Sequence, residues 1–233
     1  MPNAEDWLQD PLITMFYDED WLQDPLIEIS KSFYKSRKPK NFPGEQHVMW
    51  DSFHFATRLK LDGANYFCRQ VLGAASMPDD LGLPLLAHRQ LIWYLDAFFV
   101  ALMSAYDTLK QELNIVYAYD LKLEPKYVEW EKIKKKLPRE LCNYMDKEWN
   151  EEWFYKIRMY RNIATHEYHV PTGSGKVGFG GAPLDYSEHD VSMYYLDKAG
   201  KFKREDISEC VNCLKKMVNF ISHIWIDMAE EFE

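Results

Sequence analysis

Residues 149–169 read WNEEWFYKIRMYRNIATHEYH, and the first part of this stretch has the apolar spacing of a helix. Trp153, Ile157, Tyr160 and Ala164 recur at intervals of four, three and four, so an α-helix stacks them on one face. At about 100° per residue they fall within an arc of roughly 60°. The spacing therefore predicts a helix with these four residues as its core-facing stripe.

The flank of this predicted helix is basic and polar. Arg161, Arg158, Asn162 and His166 fall at roughly 70°, 130°, 170° and 210° from the middle of the apolar stripe. Asn162 follows Arg161 directly, and four residues separate Arg161 from His166. One interpretation is structural: the arginine lies along the helix surface and the histidine favours the negative end of the helix dipole. The other is a functional site.

An arginine followed by a polar residue and, a few positions later, by a histidine resembles the signature of the HEPN superfamily. These are small all-α domains, and many are metal-independent ribonucleases. The resemblance covers residues 47–233 and implies roles for the motif. His166 would act as general acid or base, Arg161 would stabilise phosphate oxygens, and Asn162 would orient the histidine or the substrate. It also implies that two motifs meet across a homodimer.

Other residues near the motif are candidates for binding a substrate. They are Arg158, Lys156 and His169, and the ligand they would take is RNA or a nucleotide. The main alternative is a non-catalytic HEPN-like helical module that binds nucleotide, RNA or a protein partner. A purely structural bundle is the third interpretation.

Composition narrows these classes. The chain has 233 residues, of which 47% are hydrophobic, enough for one domain with a sizeable core. Its formal net charge of −9 argues against a protein that coats nucleic acid through bulk charge, so RNA would need a local basic patch. The acidic N-terminus lacks the features of a signal peptide. The most apolar run, Leu91–Met103, is too short to span a membrane and is interrupted by Asp96.

Cysteine and histidine spacing indicates neither a metal site nor a disulfide framework. Cys210 and Cys213 have the spacing of a redox or zinc pair, but they fall inside a predicted helix without a second pair. His166 and His169 lack the i, i+4 spacing of two zinc ligands on one helical face. The glycines at 173–178 match a dinucleotide-binding pattern without the strand and helix that it needs. We predict no metal, no cofactor and a reduced, cytoplasmic protein.

Periodicity and breakers predict an all-α, up-and-down helical bundle of HEPN type. Long helices are expected over about 47–75 and 85–113, and a shorter one from Pro125 to about Leu137. Pro138 begins another helix, which leads into the motif helix.

The two ends of the chain have patterns of their own. Residues 5–13 and 19–27 both read EDWLQDPLI, which places a duplicated segment with short helices in residues 1–44, ahead of a domain over 45–233. After His169 comes a glycine-rich stretch, 171–183, predicted to be a mobile loop that closes over the motif. A small β-hairpin over about 191–203 precedes a final helix. That helix carries a heptad-like apolar stripe from Ile207 to Phe232, predicted to pack on the bundle or on a second subunit.

Overall fold

A computed structural model describes residues 25–37, 42–75, 84–167, 169–174 and 191–230. The first EDWLQDPLI copy, the second copy up to residue 24 and most of the predicted glycine-rich loop lie outside these residues. The helices are α1 (Pro25–Ser36), α2 (Gly44–Ala75), α3 (Pro84–Tyr117), α4 (Trp130–Ile133), α5 (Arg139–Asn150), α6 (Glu152–Asn162) and α7 (Glu209–Glu230). The predicted all-α bundle is confirmed.

The long helices α2 and α3 form the hairpin on which the rest of the bundle packs. Most of the buried side chains of α3 are large and apolar, as expected for a helix that contains the most apolar run of the chain. Leu61, Ala64 and Val71 of α2 are fully buried in the shared core, whereas Phe53 and Phe67 are half-buried.

A polar network in the core joins four helices. His54 of α2 and Glu112 of α3 are fully buried, and His54 Nδ1 lies 2.7 Å from Glu112 Oε2. The indole N–H of Trp225 in α7 donates to the same oxygen at 2.9 Å. His54 Nε2 lies 3.0 Å from the Ser36 hydroxyl at the end of α1. Each polar group has a partner, which a buried charge requires, so the network fixes how these helices meet.

The first and last helices pack against each other. Ile29 and Phe33 of α1 and the apolar stripe of α7 belong to one core. The apolar stripe of α7 therefore packs on the bundle of its own chain. Of the two partners considered for its heptad-like spacing, the bundle and a second subunit, the structure shows the bundle. Part of the N-terminal segment thus contacts the bundle, and a domain boundary near residue 44 stays a prediction.

A three-stranded antiparallel sheet lies beside α6, in the order β1 (Thr172–Ser174), β2 (Val191–Leu196) and β3 (Phe202–Asp206). The β2–β3 hairpin confirms the predicted one. Strand β1 falls in the predicted glycine-rich loop and pairs Thr172 with Met193.

One predicted helix is wrong in its extent. Pro125 begins only a 3-10 turn, Pro125–Tyr127, and α4 follows after extended residues. Val128 is buried between them, so packing of this side chain competes with a continuous helix. Among the helices of the described ranges, none is long and apolar enough to cross a membrane.

Candidate functional site

Helix α6 positions the motif. Trp153, Ile157 and Tyr160 are buried as predicted, and Ala164 is half-buried against the core. The adjacent Phe154, which the stripe did not include, is fully buried as well. This anchoring fixes the orientation of α6, and the polar flank at its C-terminal end faces outward.

The α-helix does not continue to His166. It ends at Asn162 and changes into a π-helical turn, Ile163–Glu167, which packs against α3. The Thr165 hydroxyl donates to the carbonyl oxygen of Arg161 at 2.8 Å, within this turn. Since the wider turn advances by a smaller angle per residue, the α-helical angle predicted for His166 does not apply. Such turns often occur at functional sites.

Three motif residues lie at this helix end. Asn162 and His166 are exposed and Arg161 is half-exposed. Arg161 Nη1 donates to Asn162 Oδ1 at 3.2 Å, so the two side chains are in contact. Among the described residues, His166 has no hydrogen-bond partner and no ion pair that would orient its ring. The arrangement therefore offers a guanidinium, an amide and an imidazole to solvent on one short segment.

His169 has the partner that His166 lacks. Its Nδ1 lies 2.6 Å from Asp96 Oδ2 on α3, and the backbone N–H of Val170 donates to Asp96 Oδ1 at 3.0 Å. The His169 side chain is 59% exposed, whereas that of Asp96 is 18% exposed. A carboxylate at Nδ1 fixes the ring and leaves Nε2 available, the arrangement that orients histidines in many active sites. Asp96 was not predicted as a site residue, although a carboxylate that interrupts the most apolar run of the chain, Leu91–Met103, indicates a need for a partner.

Arg158 lies on the same flank, but its guanidinium is held by an aromatic neighbour. It is 4.0 Å from the centre of the Trp149 ring, and Nη2 donates to the Trp149 carbonyl oxygen at 3.3 Å. Burial lowers the pKa of Arg158, while the charges of nearby tyrosines oppose that shift. Its Nε is buried without a hydrogen-bond partner. The Arg158 guanidinium is therefore stacked on Trp149, and its Nε–H group has no acceptor.

Lys156 is engaged away from the motif. Its ammonium forms ion pairs with Glu205, with Glu209 at 3.5 Å and with Glu152 at 3.8 Å, and its side chain is 12% exposed. Burial works against its charge, but the contacts with Glu205 and the other carboxylates outweigh this and raise the Lys156 pKa. Burial also raises the pKa of Glu205. The structure thus does not bring Lys156 to the surface that carries Arg161 and His166.

Cys210 and Cys213 are core residues of α7, and their spacing does not form an accessible redox pair. Both side chains are buried in α7, and burial raises the pKa of each thiol well above its usual value, which keeps them protonated. Within the described residues, no group of histidine, cysteine and carboxylate side chains is placed to hold a metal ion.

The fold and the site together define a class: a helical bundle that presents an Arg–Asn–His motif at the end of a core helix. A family model, HEPN_Cthe2314-like HEPN, matches residues 57–229. The chain belongs to this HEPN family. No curated protein and no solved structure matches it.

Proposed function

We propose that the protein is a metal-independent endoribonuclease that acts by acid–base catalysis at a dimeric Arg161–Asn162–His166 site. The observation that carries this proposal is the exposure of these three side chains on one π-turned helix end of a HEPN-family chain. The groups available there are those that RNA cleavage needs when no metal takes part.

RNA supplies its own nucleophile, the 2′-hydroxyl next to the scissile phosphodiester. A general base takes the hydroxyl proton, the 2′-oxygen forms a bond to phosphorus, and the bond from phosphorus to the 5′-oxygen breaks. A general acid gives a proton to that leaving oxygen. His166 fits either proton transfer because imidazole titrates near neutral pH. Two copies of the motif supply both groups.

Charge on the transferring phosphate is the second requirement. The planar guanidinium of Arg161 can donate two parallel hydrogen bonds to phosphate oxygens. Asn162, in contact with Arg161, limits where that fork can lie. Arg158 and the Asp96-oriented His169 are the neighbouring groups that we assign to substrate binding.

The alternative is a HEPN-like module that binds RNA, a nucleotide or a protein without cleaving it. The specific observation in its favour is the lack of an orienting partner for His166 among the described residues. Catalytic histidines are held in place by such a partner, so His166 must acquire one from the substrate or from the second copy if the enzyme proposal is right.

Incubation of end-labelled RNA with the purified protein in EDTA tests the proposal. We expect cleavage that leaves 2′,3′-cyclic phosphate ends, and a loss on the order of 10²–10⁴ in rate for His166→Ala. The free energy of unfolding of His166→Ala should differ from that of the parent by no more than about 1 kcal/mol, as for other helix-end substitutions.

His223→Ala is the control, because His223 is also an exposed histidine but lies on α7, where its Nε2 is 3.6 Å from Asp227 Oδ2. It should cleave at the parent rate. A parent protein that binds RNA and leaves it intact would establish the binding module instead. Equal rates for the parent and His166→Ala would remove His166 from the mechanism.

A further inference from the structure

The β2–β3 hairpin carries an exposed apolar pair that the bundle does not use. Leu196 and Phe202 are paired in register at the end of the hairpin, so their side chains share one face of the sheet. Phe202 is 67% exposed, the highest value among the large apolar side chains in the described part of the chain, and Leu196 is 38% exposed.

Strand alternation places this pair on the face turned away from the bundle. Met193 and Tyr195 of β2 are buried, with the Tyr195 ring 5.8 Å from that of Tyr160 in α6. Leu196 is one residue further along the strand and therefore points to the opposite face. Arg204, two residues after Phe202, is on the same outer face.

The surroundings of Phe202 are basic, although the chain as a whole has a net charge of −9. Residues 198–204 read KAGKFKR, with no acidic residue among them. Lys203 has its nearest carboxylate, Asp197, at 3.8 Å, and Lys201 has no ion pair among the described residues. Lys201 and Lys203 therefore have fewer carboxylates near their ammonium groups than Lys156, which forms ion pairs with three.

The end of the hairpin is held in one conformation by its turn. The carboxylate of Asp197 accepts hydrogen bonds from the backbone N–H groups of Ala199 (2.9 Å) and Lys201 (2.8 Å). Gly200 closes the turn with a φ of +74°, in the region that suits glycine. Lys198 Nζ donates to the Asn150 carbonyl oxygen at 2.8 Å and ties the turn to α5. Because the surface is already ordered, binding of a ligand costs little conformational entropy in the hairpin.

We infer that this hairpin end, defined by Leu196, Lys201, Phe202, Lys203 and Arg204, is a binding site for an RNA strand with unpaired bases. Arg204 is on the same face as Phe202 and donates through Nε to the Ser192 hydroxyl at 2.6 Å, whereas Lys203 points to the other face of β3 and Lys201 lies in the turn, both exposed. Base stacking on the exposed Phe202 ring and phosphate contacts with the cations on either side of β3 would together hold such a strand. Paired bases would hide the surfaces that stack on Phe202. The inference rests on the proposed function for the choice of RNA over DNA.

The site lies close enough to the motif to act on the same strand. The Tyr155 hydroxyl donates to the Leu196 carbonyl oxygen at 3.1 Å, which fixes the hairpin end against α6. Tyr155 precedes Asn162 by two helical turns, or about 10 Å along the helix axis. A strand bound at Phe202 therefore reaches Arg161 and His166 with a few nucleotides.

Fluorescence anisotropy with a labelled, fully 2′-O-methylated oligonucleotide tests the inference without cleavage, because the nucleophile is blocked. We expect Phe202→Ala to weaken binding roughly 5- to 100-fold, and Phe202→Trp to bind at least as tightly as the parent. Lys201→Gln should lower the salt dependence of log K by about one unit. The matched duplex should bind more weakly than the single strand to the parent.

Two controls separate local contacts from general effects. Lys135→Gln removes one charge from an exposed lysine elsewhere and should leave the salt dependence unchanged. Phe55→Ala removes a half-exposed phenylalanine from α2 and should bind like the parent. All variants should melt within about 2 °C of the parent, since the substituted side chains lie at the surface.

The outcomes distinguish this inference from the ribonuclease proposal. Parent-like binding by Phe202→Ala overturns the hairpin site, even if the parent cleaves RNA and His166→Ala does not. Equal affinity for duplex and single strand also overturns it, as does an absence of binding. Weakened binding by Phe202→Ala in a protein that never cleaves RNA supports the site and contradicts the ribonuclease proposal.

Discussion

Two arginines of α6, three residues apart, show how much one contact changes what a side chain can do. Arg158 stacks on Trp149 and donates to its carbonyl oxygen. Among the described residues, the Arg161 guanidinium has a hydrogen bond only with Asn162 Oδ1 and no ion pair. The sequence places both arginines on the polar flank, but only the structure shows that the Arg158 guanidinium is stacked on Trp149 and that of Arg161 is not.

Arg161→Lys therefore separates a phosphate contact from an arginine that merely lies along the helix. Lysine keeps the charge and the aliphatic stem but loses the planar fork. We expect the cleavage rate to fall by at least about tenfold, with an unchanged melting temperature. Arg37→Lys is the control, since Arg37 forms a surface ion pair with Asp51. If the two variants cleave RNA equally well, Arg161 does not bind the phosphate through its fork.

The candidate site could be predicted in part, and the missing part is non-local. Arg161, Asn162 and His166 are close in sequence, so helical spacing is sufficient to group them. Asp96 and His169 are far apart in the chain, and their contact depends on how the π-helical turn packs against α3. The same holds for Lys156, whose carboxylate partners Glu205 and Glu209 follow much later in the sequence.

At the level of elements, spacing predicted the long helices well and failed where the backbone had to bend. The bounds of α2 and α3 exceed the predicted ones by a few residues only. Strand β1 was missed because its glycine-rich sequence is typical of a loop, and its pairing depends on β2. The π-helical turn left no signal in apolar spacing, because Ile163 and Ala164 are the only apolar residues of this single turn, too few to reveal a change of period.

The hairpin turn gives an element-scale prediction about pH. Backbone N–H groups of Lys201 and Ala199 hold the pKa of the Asp197 carboxyl below its usual value. A lowered pKa in the folded state means that its stabilisation is present above the unfolded pKa of about 3.9 and is lost as pH falls through the folded pKa.

We expect Asp197→Asn to increase hydrogen exchange in the turn, residues 198–202, at pH 6. The difference from the parent should shrink as the pH falls through the lowered pKa of the parent carboxyl, where it also loses its charge. Mass spectrometry of peptides that cover the turn measures this hydrogen exchange, and peptides from α7 provide the reference. Equal exchange of the parent and the variant at pH 6 would show that Asp197 does not hold the turn.

For the whole molecule, a site composed of two motifs depends on which surface would join two copies. The stripe of α7 is occupied by its own bundle and is not that surface. Another stripe is exposed on α2: Val48, Phe55, Leu59 and Tyr66 are 64%, 50%, 52% and 47% exposed. Their spacing of seven, four and seven reads the same in both directions, as an antiparallel two-fold contact requires.

A dimer built on the α2 stripe would keep the two motifs apart. The two-fold axis of such a dimer would pass near Thr57, which lies midway between Val48 and Tyr66 in α2. The Thr57 hydroxyl contacts that of Thr108 in α3. Asp96, which holds His169 at the motif, lies 12 residues from Thr108 along α3, or about 18 Å. Two motifs placed on opposite sides of that axis cannot share one substrate phosphate. A composite site therefore needs a dimer in which the motif ends of α6 face each other.

Subunit mixing provides the last prediction. If each active site needs two motifs, a tenfold excess of His166→Ala chains should leave about a tenth of the parent chains in active pairs, and activity should fall about tenfold. The same excess of Lys135→Gln, which keeps its motif, should not inhibit. Sedimentation should show a species of twice 27.7 kDa in each sample. Leu59→Glu should remain dimeric and active. Undiminished activity in the mixture, or monomeric and inactive Leu59→Glu, would contradict a site shared across the motif faces.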